Sequence, residues 1–377
     1  MIKNKWTAAA ALILASSLTT GCSLNSEAQA QQTIVMNDDV QLDSLLADST
    51  LQLTRKEDFV IDDAISYRDV MGIYQNQLYY NEDSTIYTLD LQTKETTKLA
   101  DKEKIDLEEH LPAKKMFTFS SDGIKILLQE DGNVYVQNII NGEKKLVDKG
   151  VVKDFFFLDN QGYDVGIMDS DANLRVIDTA ANDTSSYDLS HLEITSISNV
   201  KKVGNNVYLH VQTQKDGMMI YKIPSKGKPE ALLAFSGEKD TLATFDVLRN
   251  GDIIFAGSYD GKGAIYYFDV NKNEVKQLIS GGTDSEGDWI PFYQLSPDEQ
   301  KILFDMPVHV QEEYKSNVYM AELKDKQLTN STIIMEKADL PAVISFTGFW
   351  RSDSHIAYVM TDNDSKQKLS SFAIYSE

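Results

Sequence analysis

Cysteine is the most telling chemical residue of this 377-residue chain, because it occurs once, as Cys22. One thiol forms no disulfide within the chain and builds no thiolate zinc cage. Five histidines are present: His110, His191, His210, His309 and His355. No two stand four residues apart and none opens an H-E-x-x-H helix, the spacing that brings two imidazoles to one metal. His210 lies within Val207-Tyr208-Leu209-His210-Val211, an apolar strand pattern that reads as a structural histidine. His309 is expected in a long connection between strands. There is no G-x-S-x-G nucleophile elbow, no P-loop and no G-x-G-x-x-G turn. Carboxylates cluster at Asp169-Ser170-Asp171, Asp284-Ser285-Glu286-Gly287-Asp288 and Asp362-Asn363-Asp364, without the distal glutamate of a calcium loop. They read as solvated turns. Trp289 and Trp350 are expected to pack between structural units, the other reading being a stacking platform for a sugar or an aromatic ring. No catalytic residue, metal ligand or cofactor is assigned.

What precedes Cys22 gives it a chemistry. Lys3 and Lys5 make a short positive start, and residues 8–15 form an uncharged, largely apolar stretch. That stretch is well short of the roughly 20 apolar residues a spanning helix needs, so it reads as an export signal. Leu18-Thr19-Thr20-Gly21-Cys22 resembles the lipobox of bacterial lipoproteins, an aliphatic and two small residues before an acylated cysteine. Thr19 departs from that pattern, with Leu18 one place early. The resemblance implies cleavage after Gly21, a thioether-linked diacylglycerol on Cys22, and an extracytoplasmic protein held at the cell membrane by lipid. Each buried CH₂ contributes about 0.8 kcal/mol, so two acyl chains anchor stably.

The expected organisation is a signal peptide at 1–21, then the lipidated cysteine with a flexible stalk and strap at 22–57. The rest, 58–377, is read as one folded body. Lys and Arg total 36 against 58 Asp and Glu, for a net charge of −22. Nucleic acid is excluded as a partner by long-range repulsion. Cleavage removes Lys3 and Lys5 and no acid, so the mature chain is more negative still. The tether, rather than the protein surface, is expected to hold it at an anionic bilayer.

The elements that would position any site recur. Phe117-Thr118-Phe119-Ser120-Ser121-Asp122-Gly123 leads into Lys125-Ile126-Leu127-Leu128, then a turn, then Val134-Tyr135-Val136. Asn141-Gly142 reads as a two-residue type I′ hairpin. A second copy runs from Phe292-Tyr293-Gln294-Leu295-Ser296-Pro297-Asp298-Glu299 into Lys301-Ile302-Leu303-Phe304, with Val318-Tyr319 later. Looser copies place further third strands at Ile86-Tyr87, Val176-Ile177, Ile220-Tyr221, Ile265-Tyr266 and Ile374-Tyr375. Four short strands every 40–50 residues or so is the period of a β-propeller blade. One such sheet cannot cover both of its faces, so blades pack face to face around an axis. The reading is therefore all-β: a propeller of seven four-stranded blades, with six left open. Its ring is closed by an N-terminal strand, for which Phe59-Val60-Ile61 is the candidate. Residues 102–115 are expected as an insertion between blades.

The Ser-Ser-Asp-Gly and Ser-Pro-Asp-Glu turns resemble the repeat of TolB-like and other PD40-type propellers. Together with the lipobox they resemble the YqgU-type lipoproteins. The resemblance implies a lipid-anchored binding or scaffold protein without catalysis, its partner an envelope protein or a glycan. The alternative is a metal-dependent hydrolase or lyase with carboxylates converging on the central channel.

Overall fold

The computed structural model describes residues 33–35, 50–60, 65, 70–74, 77–82, 85–100, 117–120, 125–130, 132–138, 141–150, 152–159, 162–281, 283–284, 287–310, 313–339, 348–361 and 367–376. Cys22, His110, Ile61, the expected insertion at 102–115 and the Asp362-Asn363-Asp364 cluster lie outside them.

Every strand pair whose register is described is antiparallel, Thr33–Val35 adds a fifth strand to the edge of one sheet, and the molecule is a β-propeller. Six sheets are each built around four consecutive strands, spanning 70–100, 117–149, 154–188, 194–235, 241–280 and 293–339 (blades 1 to 6). A seventh joins Gly348–Ser352, His355–Thr361 and Gln367–Ser376 to Leu51–Val60 from the other end of the chain (blade 7). The four strands of each blade are called A to D in that order. The A strands of blades 2 to 5 touch in succession, as do those of blades 7 and 1, which places them around the axis. Blade 7 contacts both blade 6 and blade 1, so the N-terminal strand closes the ring. It starts at Leu51, which transfers residues 51–57 from the expected strap to the ring.

Burial explains the repeat. B and C strands are sandwiched between neighbouring blades, so both of their faces are apolar. All of Ile253–Tyr259 is buried, whereas the D strand Asp183–Asp188 is almost wholly exposed. The aliphatic–aromatic pair divides between two cores because successive side chains point to opposite faces. Tyr266 joins Tyr208, Ile220, Phe235 and Phe255 between blades 4 and 5. Ile265 and Tyr267 join Ile302, Phe304 and Tyr319 between blades 5 and 6. Leu303, Val318 and Met320 face the other way, toward Leu51, Ile356 and Trp350 of blade 7. Each such side chain contributes about 1.5–3 kcal/mol when fully buried.

The A–B turns repeat in chemistry as well as in place. Ser120 Oγ accepts the Lys125 N–H at 3.0 Å, and Ser296 Oγ accepts the Lys301 N–H at 2.9 Å while donating to Asp298 at 2.5 Å. The hairpin at Asn141-Gly142 is longer than the expected two-residue turn. Its strands end at Asn138 and resume at Lys144. Gly142 takes φ 72° while its N–H reaches Asn138 O, so a left-handed glycine ends a wider loop.

Blade 6 departs from its neighbours. Its B, C and D strands, Lys301–Val310, Glu313–Lys324 and Gln327–Asp339, run 10, 12 and 13 residues. Those of blade 5 run 7, 8 and 7. The A strand is only Tyr293–Leu295, so the other three outrun it as a projecting arm. His309 is therefore in a strand, paired with Tyr314, and not in the expected long loop. Pro307 lies two residues before it, within the same strand. In the structure it pairs with Ser316, and its missing N–H faces the side the A strand no longer covers.

Candidate functional site

Antiparallel order puts the A–B and C–D turns of every blade on one rim, and the B–C turns and D–A connections on the other. The two rims carry different chemistry.

On the B–C rim the arm of blade 6 stands beside the connection from blade 5. Gly281 opens that connection so close to Trp289 that a Cβ there would lie 1.8 Å from the Trp289 carbonyl oxygen. Between them, Thr283–Asp284 pairs with Gly287–Asp288, which makes this acidic cluster a two-stranded finger. The segment that follows the finger is pinned to the arm at Phe292 by Asp305, which is fully buried. The Phe292 N–H donates to Asp305 Oδ1 at 2.6 Å, the Ser316 hydroxyl donates to Oδ2 at 3.2 Å, and the Asp305 N–H donates to Phe292 O at 3.2 Å. Burial pushes the Asp305 carboxyl up to about 7, although these donors pull the other way.

On the A–B rim, cations cross from blade to blade. Lys202 of blade 4 meets Asp164 of blade 3 at 2.6 Å, Arg249 of blade 5 donates to Pro297 O of blade 6 at 2.6 Å, and Lys301 of blade 6 donates to Asp353 O of blade 7 at 3.2 Å. The densest crossing joins blades 5 and 6. There Lys326 lies 2.5 Å from Asp269 and 3.1 Å from Asp252, both buried. Burial opposes charge on Lys326, but the two carboxylates overcome it and hold the ammonium above the usual lysine range. Asp252 also accepts the Tyr267 hydroxyl at 2.6 Å and the Val270 N–H at 3.0 Å. Burial, then Asp252, raises that phenol to about 12. The group is a satisfied ion cluster that fastens a C–D turn to its neighbour.

The sequence-selected residues do not converge. His210 is buried with its ring edge-on to Phe245, and burial lowers it to about 4, as befits a neutral core imidazole. His191 sits in the short helical turn Ser190–Leu192. His355 Nδ1 lies 3.0 Å from Ser352 Oγ and 3.1 Å from Ser354 Oγ, within the A–B turn of blade 7. Asp169 caps its own turn, accepting the N–H groups of Asp171 and Asn173 at 2.9 Å each. Trp350 packs between blades 6 and 7. The indole Nε1 atoms of Trp289 and Trp350 are buried with no hydrogen-bond partner. Among the described residues, no three His, Cys, Asp or Glu side chains gather to hold a metal ion. Asp305 and Lys326 were not selected from sequence. Asp305 left a readable signal, an acid inside the apolar run Leu303-Phe304-Asp305-Met306. Lys326 left none, because its partner Asp269 is 57 residues away.

No protein-family model matches the chain, and no curated protein matches it. Solved structures do. A chain of the mitotic checkpoint complex is similar over 84% of this chain and 94% of its own, with 9% identity and a TM-score of 0.51. The extracellular domain of BT4673 from B. thetaiotaomicron is similar over 83% of this chain and 39% of its own, with 12% identity and a TM-score of 0.50. The N-terminal domain of Nup159 aligns over 91% of this chain and all of its own, at 11% identity and a TM-score of 0.46. At these identities the likeness shows the fold alone.

Proposed function

We propose that the protein is a lipid-anchored, extracytoplasmic binding or scaffold propeller of the cell envelope, tethered through Cys22. The observation that carries this reading is the route of the chain. Between the lipobox-like cysteine and Leu51–Val60, the strand that closes the ring, Thr33–Val35 joins the blade 5 sheet beside its D strand, so the chain after Cys22 is built into the propeller at two places. Whatever holds Cys22 therefore holds a rigid propeller whose rim connections stay outside its cores. The extracellular placement of one structural neighbour agrees with an exported propeller. No observation among the described residues favours the second reading, a metal-dependent hydrolase or lyase in the channel.

The test is Cys22→Ala, followed through membrane fractionation and detergent extraction. The variant is expected to leave the membrane fraction and appear in the medium as a folded protein. Unchanged membrane retention contradicts the anchor. Detergent extraction of the wild-type protein, with mass spectrometry of what remains bound, then tests the binding role. A partner protein or glycan recovered in fixed proportion supports it, and an empty propeller under native extraction speaks against it.

A further inference from the structure

The D strand of a propeller blade is its outer edge, and the outward N–H and C=O groups of such an edge are a template for another strand. In blade 5 that template is in use. Its D strand, Glu274–Ser280, pairs on one side with the C strand, from Asp269 opposite Glu274 to Ala264 opposite Ser280. Thr33–Val35 lies along the other side.

The blade 5 edge is set deeper than its counterparts. No residue of Glu274–Ser280 is exposed, and Val275, Gln277, Leu278 and Ile279 are buried. Val275 belongs to the core between blades 4 and 5, whereas Leu278 and Ile279 belong to the one between blades 5 and 6. By contrast, the D strands Lys144–Lys149 of blade 2 and Asp183–Asp188 of blade 3 are exposed along most of their length. Locked into two cores, the blade 5 strand offers a fixed edge, and a peptide that pairs with it has only itself to order.

The strand lying there is short for its place. Thr33–Val35 has 3 residues against the 7 of the D strand, which leaves room for a longer one. Thr33, Ile34 and Val35 are β-branched and uncharged, the composition that suits an extended backbone. Residues 36–50 join the segment to Leu51, and at about 3.3 Å per residue a link of that length spans at most about 50 Å. Such a link keeps the segment near the edge without fastening it there, so its docking is an intramolecular equilibrium.

We propose that the outer edge of blade 5 is a docking site for an extended, uncharged, β-branched segment of a partner protein, and that Thr33–Val35 holds the place until the partner displaces it. Main-chain pairing supplies the affinity and the side chains of the incoming strand supply the choice of partner. An acidic segment is disfavoured by the net charge of −22. This deepens the binding role proposed above and makes no use of the Cys22 anchor.

The probe is a synthetic fluorescent peptide of residues 31–37, titrated by anisotropy onto the full chain in detergent and onto its Ile34→Pro variant. Proline removes the N–H that the segment brings to the edge. A segment that occupies the edge about nine-tenths of the time weakens a competitor about ten-fold, so the peptide is expected to bind Ile34→Pro about ten times more tightly than wild type. Ile34→Asp is expected to behave as Ile34→Pro does, and a peptide carrying the same proline is expected not to bind. A benzophenone at position 34 of the peptide is expected to cross-link within residues 274–280. Equal affinity for wild type and both variants overturns the place-holding role. Cross-links away from that edge, or no binding to either variant when both melt as wild type does, overturn the docking site. A wild-type dimer that Ile34→Pro dissolves gives the edge to a second copy, and the partner reading falls. In every such case the recovery of a partner after native extraction still tests the binding role by itself.

Discussion

Substituting Asp305→Asn isolates the buried carboxyl at the base of the blade 6 arm. The amide keeps the shape, still accepts the Phe292 N–H, and can donate toward Ser316 Oγ, so the change acts mainly on charge. The unfolded carboxyl ionises near its model-compound value of 3.8 and the folded one near 7. Between those values unfolding releases a proton, so Asp305 stabilises the ring fully below about pH 4, and that stability is lost as pH rises to about 7. The shift corresponds to about 4 kcal/mol at about 1.4 kcal/mol per unit. His210 acts oppositely in almost the same window. Its folded value is about 4 against 6.5 unfolded, so stability falls as pH drops from 6.5 toward 4. The two slopes nearly cancel in the wild type. Asp159, raised chiefly by burial, adds to the Asp305 side, whereas Asp90, Asp178 and Asp188 are lowered and act at more acid pH. Urea unfolding of Asp305→Asn, followed by tryptophan fluorescence, is expected to match wild type near pH 4 and to exceed it by about 4 kcal/mol near pH 8. A difference that stays constant between those pH values would refute the assignment of Asp305 as a buried, late-ionising acid.

Two further substitutions probe the ring's construction. Lys326→Met leaves Asp252 and Asp269 without their shared cation. Because the ammonium is partly exposed, the expected loss is about 2 kcal/mol in thermal unfolding, with a Tyr267 phenol titrating still higher. In Gly257→Ala the new Cβ would lie 2.1 Å from the Thr241 carbonyl oxygen, so the A and B strands of blade 5 must part. A loss of about 3 kcal/mol is expected, and a wild-type melting temperature would show that the strands do not approach so closely.

The period, the third strands and the closing segment were legible because each follows from local pattern. An alternating apolar strand flanked by Ser, Asp or Gly turns names itself, as Lys301-Ile302-Leu303-Phe304 after Ser296 does. The start of the closing strand was less legible. Leu51-Gln52-Leu53-Thr54 alternates like a strand, but its partner Ile374 lies at the other end of the chain, and only ring closure brings them together. The arm of blade 6 was less legible, because a strand that holds Pro307 is allowed only where its N faces an uncovered edge, and the shortness of the A strand is not written in the local pattern. The crossings between blades were illegible for a different reason. Lys326 and Asp269, or Arg249 and Pro297, become neighbours through the angle between sheets, and no spacing along the chain encodes it.

Sewing the first strand antiparallel to the last has a mechanical consequence. Tension applied at Leu51 along Leu51–Val60 runs along the strand axis, while the ladder bonds to Gln367–Ser376 lie across it. Such a pull loads the whole ladder at once, as shear, and does not peel it rung by rung. The seam that closes the wheel thereby meets a pull at Leu51 as a unit.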